Sequence, residues 1–191
     1  MRRRSVLLSA VSGALTGALA VSRTTTAQEA TPSAIANHPI VGAWLVMNPS
    51  DPLNARPAIF AADGTLTIAY VPSSTDPERG VVLQGPAIGV WEPTGERGVH
   101  LTYLQSLSDL NGTYLGTLTR DAYPEVSDDG QSFRDDGTQV HITFRDAANT
   151  IVNEASGGGA EAASRQVHAI RMQVGNPGFL EATPVTGTPT T

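Results

Sequence analysis

Three of the four histidines could form a metal site, because His100, His141 and His168 fall in three different segments with strand-like alternation. Imidazole nitrogens are common zinc ligands. Successive side chains of a strand point to opposite faces, so the neighbours of each histidine indicate its direction. His141 alternates with an apolar set and should point outward, whereas His168 shares a face with Ile170 and Met172 and should point inward. Ligands on opposite faces of a sheet cannot reach one ion, and the sequence predicts no metal site.

Acidic residues offer a second chemistry. Asp128-Asp129 and Asp135-Asp136 each precede a glycine, a pattern that hairpin turns explain without a catalytic role. Two acidic turns at one end of a barrel could still bind calcium weakly. A hydrolytic carboxylate pair needs two acids at a defined separation, and no pattern pairs any two of the remaining candidates, Asp109, Asp121 and Glu125.

Absent residue types exclude more chemistry than the residues present suggest. The chain has no cysteine, and all 12 basic residues are arginine. Schiff-base chemistry therefore lacks its amine, while thiol nucleophiles, disulfides, thiolate zinc sites and cysteine-held iron–sulfur clusters lack their sulfur. No Gly-x-Ser-x-Gly or Gly-x-Gly-x-x-Gly motif occurs, so serine-hydrolase and dinucleotide sites have no signal. We expect no cofactor.

The first 27 residues read as an export signal that precedes the fold. Arg2, Arg3 and Arg4 form a positive start, an apolar run of small residues follows, and Thr-Thr-Ala ending at Ala27 resembles a cleavage site. Arg3-Arg4 followed by Ser-Val-Leu fits a twin-arginine signal, with an arginine-rich general secretory signal as the alternative. We therefore expect an exported protein, whether extracellular, periplasmic or associated with the cell surface, with no membrane insertion after the leader is removed.

Charge narrows the choice of partners. The leader holds four of the 12 arginines and none of the 18 acidic residues, so the chain from Gln28 onward has a formal net charge of −10. Such a charge disfavours nucleic acids and anionic membrane surfaces as partners. The sequence carries no signal of the oligomeric state.

One domain is expected between residues 38 and 179. Residues 28–37 are small and polar and predict a flexible lead-in, whereas the Thr/Pro-rich residues 180–191 predict a disordered tail. Residues 153–164 are rich in Gly and then Ala, and they predict a mobile loop or a short helix.

Strand signals dominate this domain. After a first strand at Trp44, the segments that read as strands are 58–60, 65–71, 88–91, 99–105, 114–119, 140–144 and 167–174. Asp-Gly and Asn-Gly turns separate many of them, so most connections should be hairpins. The sequence therefore predicts an all-β, antiparallel, up-and-down barrel of eight strands, or nine. A closed barrel is expected because closure removes exposed strand edges.

The triplet Gly42-Ala43-Trp44, on a first strand after a loose segment, resembles the opening signature of the lipocalins and the wider calycin barrels. The resemblance implies a tryptophan that plugs the closed end of the barrel, covered by an arginine from a late strand, for which Arg171 is the candidate. The alternative is that Trp44 is an ordinary core aromatic and Arg171 an outward-facing charge. The family's Thr-Asp-Tyr signature and its long C-terminal helix are missing, which makes the chain a divergent, lipocalin-like barrel.

Two further resemblances concern the middle of the chain and the barrel type. The run from Gly89 to Asp146 is similar to bacterial secreted proteins of unassigned function, and every matching element is structural. Small cyclases and isomerases of the allene-oxide-cyclase type use a related barrel, but none of their catalytic residues can be carried over.

An eight-stranded barrel either fills with side chains or holds one small ligand. The inward faces that alternation predicts supply an apolar cavity lining with a few polar tips: Leu66, Ile68, Tyr70, Leu101, Tyr103, Ile142, Phe144, His168, Ile170 and Met172. This lining favours a non-enzymatic binder of a small hydrophobic molecule. One alternative is an isomerase or cyclase that uses His168, Tyr103 or Tyr70 as a general acid or base. The other is a packed structural or interaction module.

Overall fold

The computed structural model describes residues 32–49, 51–77, 79–158 and 162–179. The predicted leader (1–27) and the predicted tail (180–191) lie outside these ranges. Of the predicted lead-in, residues 32–36 form a short helix, and Ile35 from it packs against the core.

Strands make up most of the described chain. The elements are, in order, α1 (Pro32–Ala36), β1 (Gly42–Asn48), β2 (Asp51–Phe60), β3 (Thr65–Ile68), β4 (Ser73–Asp76), β5 (Gly80–Pro93), β6 (Val99–Ser108), β7 (Tyr114–Ala122), β8 (Glu125–Val126), β9 (Ser132–Asp135), β10 (His141–Asp146), β11 (Ile151–Ser156), α2 (Ala162–Arg165) and β12 (Val167–Arg171). Within the described ranges, no helix is long and apolar enough to cross a membrane.

The strands form one antiparallel sheet that curls into an open half-barrel. Its order is β11-β10-β7-β6-β5-β3-β2-β1-β12-β9-β8, and β4 pairs with β5 beside this path. The all-β antiparallel prediction is confirmed. The prediction of eight or nine strands in a closed up-and-down barrel is wrong, because the described chain contains twelve strands, the half-barrel is open, and β1 neighbours β12 while β7 neighbours β10. The extra strands include β4, β8 and β9, which have two to four residues and are too short to show a clear alternation.

Among the residues that the structure describes, hydrogen bonds close the curl at one end only. The backbone N–H of Val99 donates to the carbonyl of Pro124 at 3.0 Å, and that of Val126 donates to the carbonyl of Arg97 at 3.0 Å. These bonds tie β8 to the start of β6, so the sheet meets itself there. Farther along, β7 pairs with β10 and β9 pairs with β12, with no pairing between β7 and β9, which leaves the other end open.

The core fills the closed end. Trp44, Phe60, Trp91 and Phe133 come from β1, β2, β5 and β9 and pack edge to face. Their ring centroids lie 5.0 Å apart for Trp44 and Phe133, 5.8 Å for Phe60 and Phe133, and 6.2 Å for Phe60 and Trp91. All four side chains are buried. Edge-to-face aromatic packing stabilises this end beyond the burial of apolar area alone.

The backbone conformation and the close approach of Arg171 explain why a glycine stands at position 42, two residues before Trp44. Its φ is +141°, and a Cβ placed there would lie 2.6 Å from Nη1 of Arg171. A larger residue would therefore be strained and would also displace the guanidinium. Gly42 thus allows Arg171 to lie across Trp44, the residue directly opposite it on the neighbouring strand.

Candidate ligand site at the open end

The interior contains two adjoining spaces of very different size. A deep cavity of about 40 Å³ lies against the aromatic core, and a mouth of about 550 Å³ opens at the other end. The deep cavity has room for a few water molecules only. The volume of the mouth falls within the ~300–1,000 Å³ of typical small-molecule sites. The open end of the half-barrel is therefore the candidate site.

Four side chains line both spaces and form the floor of the mouth: Arg56, Tyr70, Tyr103 and Arg120. We call this set the polar floor. Strand periodicity places its members, because side chains two residues apart share a face. Arg56 follows the inward parity of Ala58, and Arg120 that of Ala122, so each extends an apolar inward face toward the open end.

The two tyrosines of the polar floor are joined to each other. The hydroxyls of Tyr70 and Tyr103 are hydrogen-bonded, and their ring centroids lie 6.2 Å apart. Gly89 lies opposite Tyr103 on β5, where a Cβ would approach Cβ of Tyr103 to 2.6 Å. The absence of a side chain at Gly89 therefore gives Tyr103 its position.

Burial keeps Tyr103 in its protonated form. The side chain is 5% exposed, and burial raises the pKa of its phenol well above the ordinary tyrosine value. The neighbouring Tyr70 raises this pKa further, while the guanidiniums of Arg120 and Arg56 act in the opposite direction. At neutral pH, the hydroxyl of Tyr103 is therefore protonated, and in its bond with Tyr70 it can be either the donor or the acceptor.

The two arginines of the polar floor differ in their partners. Nη2 of Arg120 donates to the carbonyl of Arg165 at 2.8 Å and lies 4.0 Å from Oδ2 of Asp135, a buried carboxylate. Nε of Arg56 donates to Oδ1 of Asn54 at 3.2 Å, and its guanidinium lies 4.7 Å from the centroid of the Tyr70 ring. Among the described residues, no carboxylate pairs with Arg56.

Asp135 is the one acid of the deep cavity among the described residues. Its Oδ1 accepts a hydrogen bond from the backbone N–H of Gly137 at 2.8 Å, whereas the buried Oδ2 has no hydrogen-bond partner. Among the described residues, Arg120 therefore has a carboxyl group within 4.0 Å, and Arg56 forms no ion pair with one.

Apolar side chains form one wall above the polar floor. They come from β5, β6, β7 and β10, and they are Val82, Leu107, Leu118, Ile142 and Phe144. Gln84 and Gln105 interrupt them, and Nε2 of Gln105 donates to the carbonyl of Gly85 at 2.8 Å. On the other side, β4 lines the mouth with Ser73, Ser74, Thr75 and Asp76. The mouth therefore combines an apolar wall, a polar wall and a floor of hydrogen-bond donors.

Seven of the ten predicted lining residues face the interior. Ile68, Tyr70, Leu101 and Tyr103 line the deep cavity, Ile142 and Phe144 line the mouth, and Leu66 is part of the packed core. Alternation on β3, β6 and β10 was therefore a sufficient guide to their direction.

The predicted inward direction of His168, Ile170 and Met172 is wrong. His168 is exposed, and none of the three lines either space. The inward residues of β12 are Val167 and Ala169, which are followed by Arg171 at the same parity. Arg171 must face inward to reach Trp44, and side chains of a strand alternate between its two faces. His168, Ile170 and Met172 have the opposite parity to Arg171, so they lie on the outer face.

Arg56 and Arg120 were not among the residues that the sequence predicts to line the interior. Arg56 lies in a strand that was expected to begin only at residue 58, and Arg120 follows the segment 114–119. Strand alternation is the one sequence feature that indicates their inward direction. Each arginine lies two residues from an apolar residue that faces inward, and residues two apart share a face.

The predicted contact between Trp44 and Arg171 is present. The guanidinium lies 4.2 Å from the centroid of the Trp44 ring, a cation–π geometry. Nε of Arg171 donates to the carbonyl of Gly130 at 2.7 Å, and Nη1 donates to that of Val41 at 3.0 Å. This plug belongs to the closed end and does not reach the mouth.

The other candidate residues are spread over turns and outer surfaces. His100 contacts Asp121 at 2.7 Å and Glu92 at 3.1 Å; burial lowers its pKa, but these two carboxylates outweigh it and raise the pKa overall. His141 contacts Ser156 on the exposed hairpin. No group of metal-ligating side chains occurs in the described part of the chain.

The aspartates of the acidic turns accept hydrogen bonds from backbone N–H groups of the same turns. Oδ1 of Asp129 accepts from Gln131, Oδ1 of Asp136 from Thr138, and Oδ1 of Asp109 from Asn111 and Thr113. These are the short-range bonds that aspartates make in turns. Glu125 and Asp128 instead pair with Arg97 on the surface.

Comparison with known proteins adds no family assignment, since no family model, curated protein or solved structure matches the chain. Functional interpretation therefore depends on the geometry of the mouth.

Proposed function

We propose that this protein is an exported, lipocalin-like barrel that binds one small hydrophobic molecule in its mouth without transforming it. The observation that carries the proposal is the open space of about 550 Å³ above the polar floor, with apolar side chains of β5, β6, β7 and β10 on one side. Ligand sites combine such walls with a few placed polar groups, which orient the ligand.

The contrast between the two spaces supports this assignment of the site. The deep cavity of about 40 Å³ is too small for an organic ligand, so bound molecules occupy the mouth alone. Apolar side chains that line the mouth are in contact with water until a ligand covers them, and their burial favours binding. A fully packed module would have no such space.

Native mass spectrometry of the protein exported from its own host tests the proposal directly. We expect a small molecule that is lost on denaturation, and a mature chain that begins at Gln28. The neutral fluorophore N-phenyl-1-naphthylamine should also bind the ligand-free protein with saturation at about one molecule per chain. A ligand-free mass together with no saturable fluorescence would overturn the binder and favour a packed module.

A matched pair of variants locates the site. Leu118 lines the mouth, so Leu118→Trp should fill it and weaken binding of the fluorophore by about tenfold or more. Leu104 lies on the outer face of the adjacent strand and is 46% exposed, so Leu104→Trp should leave binding unchanged. Equal effects from both variants would place the fluorophore outside the mouth.

One observation favours a second candidate, an isomerase or cyclase of the allene-oxide-cyclase type. Tyr103 lies on the floor of the mouth with its hydroxyl hydrogen-bonded to that of Tyr70, which places phenol groups beside a bound ligand, where general acids act. His168 is no longer available for this role, because it faces solvent. Incubation of the identified ligand with the protein discriminates the two candidates: a binder returns the ligand unchanged, whereas an enzyme returns an isomer whose formation Tyr103→Phe abolishes.

A further inference from the structure

The polar floor offers donors to a ligand but few acceptors. When two phenols hydrogen-bond to each other, one donates and the other keeps a free O–H, so the Tyr70–Tyr103 pair has one proton left to donate. The guanidinium of Arg56 has five N–H groups, of which one is used by Asn54. A ligand group seated on the floor must therefore accept hydrogen bonds.

The charge of the mouth is opposite in sign to that of the chain. The charged residues that line the mouth, among those described, are Arg56, Arg79, Arg120 and Asp76. These residues give the mouth three positive charges and one negative charge, although the formal net charge of the whole chain is −6. Arg120 faces the buried Asp135, whereas Arg56 has no carboxylate partner among the described residues. Among the described residues, the positive charge of the floor that has no carboxylate partner is that of Arg56.

We propose that the ligand of the mouth is an apolar molecule with one carboxylate, and that Arg56 and the Tyr70–Tyr103 pair bind this carboxylate. The proposal rests on the binder function and names the ligand class for the same site. A carboxylate accepts two parallel N–H bonds from a guanidinium, and it also accepts a bond from a phenol. A neutral ligand would leave the charge of Arg56 partly desolvated without compensation.

The orientation of the ligand follows from where the groups lie. The carboxylate is placed on the floor, next to Arg56 and the tyrosine pair, and the apolar part extends outward between Leu118 and Phe144. The small deep cavity beneath the floor does not admit it. The stacking of Arg56 on the ring of Tyr70 holds the guanidinium in place before the ligand arrives, which lowers the entropy cost of binding.

A matched acid and amide test the proposal. 1-Naphthaleneacetic acid and 1-naphthaleneacetamide have nearly the same shape and differ in charge, so each is titrated against protein loaded with N-phenyl-1-naphthylamine at pH 7.5 and physiological salt. We expect the acid to bind about 10- to 100-fold more tightly than the amide, as hydrogen bonds to charged groups imply. An acid that binds no better than the amide would overturn the proposal, and this includes the case in which neither displaces the fluorophore.

Variants assign the preference to the floor. Arg56→Gln should reduce the acid-to-amide ratio to near one, because it weakens binding of the acid far more than binding of the neutral amide. Tyr70→Phe should lower the ratio by about three- to tenfold, because it removes one neutral donor. Arg97→Gln makes the same change in net charge on the outer surface at the closed end, and it should leave the ratio unchanged.

The failures of the two proposals are distinguishable. Loss of fluorophore binding in the wild-type chain would sink the binder function itself. Fluorophore binding with a ratio near one would leave the binder in place and remove the carboxylate. A high ratio that survives Arg56→Gln would show that another group recognises the acid and would overturn the role of Arg56.

Discussion

The two ends of the half-barrel share the strands β2, β5, β6 and β7 and differ in the side chains that these strands present. At the closed end, β1, β2 and β5 present Trp44, Phe60 and Trp91, which pack with Phe133. A few residues farther along, the inward residues become arginine, tyrosine and glutamine, and the space between them stays open. Stability therefore concentrates at one end of the sheet, and the capacity to bind concentrates at the other.

The cause of this difference is the closure of the sheet. Where β8 hydrogen-bonds to the start of β6, side chains from opposite walls reach one another and fill the interior. Farther along, β7 pairs with β10 and not with β9. The sheet stays open there, and polar side chains can keep contact with water. The same period of two thus produces a core at one end and a site at the other.

The largest expected effect is at the plug. Trp44 is fully buried, and its Nε1 donates to the carbonyl of Ile40 at 2.7 Å, so Trp44→Ala should lower the free energy of unfolding by about 3–5 kcal/mol. Tyr70→Ala at the open end removes a half-buried ring and should cost less than about 2 kcal/mol. Urea denaturation of both variants measures the difference. Equal losses would contradict the division of the molecule into a stabilising end and a binding end.

A smaller effect is expected next to the plug. Gly42→Ala forces a side chain into a φ of +141° and against Nη1 of Arg171, and it should cost about 1–3 kcal/mol. The displaced guanidinium should also change the fluorescence of Trp44. Fluorophore binding in the mouth should be unchanged, since Gly42 lies at the other end. A loss of binding with no loss of stability would show that the two ends are coupled.

The smallest expected effect on the free energy of unfolding comes from the titration of Tyr103 at alkaline pH. Burial raises the pKa of Tyr103, so above about pH 10 the unfolded chain loses this proton while the folded chain keeps it. The unfolded state then binds fewer protons, and the free energy of unfolding falls as the pH rises from about 10 toward the raised pKa.

Denaturation at pH 8 and at pH 10.5 measures this fall. Tyr103→Phe should make the fall shallower, because it removes the group that titrates differently in the two states. Tyr114→Phe is the matched control, since this phenol is 48% exposed and its loss should leave the fall in place. A fall of the same size in Tyr103→Phe would show that other groups cause it.

Local patterns were informative where strands alternate clearly. They placed β3, β6 and β10 and the direction of their side chains, and Asp-Gly turns marked several of the hairpins. They failed on β12, where alternation alone does not reveal which face turns inward, and on β8 and β9, which are too short to alternate.

The candidate site was only half visible in the sequence. Tyr103 lies on β6 and Tyr70 follows β3 in the same alternating pattern, so their inward direction could be inferred. Arg56 and Arg120 lie on β2 and β7, far apart in the chain, and an arginine within a strand is equally compatible with a solvent-facing position. Their convergence depends on which strands are neighbours across the half-barrel.

The sequence by itself determined that this chain is all-β and antiparallel and that it contains neither lysine nor cysteine chemistry. Only the tertiary structure decided that the sheet closes at one end, that Arg171 rather than His168 faces inward, and that Arg56 meets the tyrosine pair at the mouth. The physical reason is range. Alternation and turn chemistry act between residues a few positions apart, whereas register and closure depend on hydrogen bonds between strands that are distant in the chain.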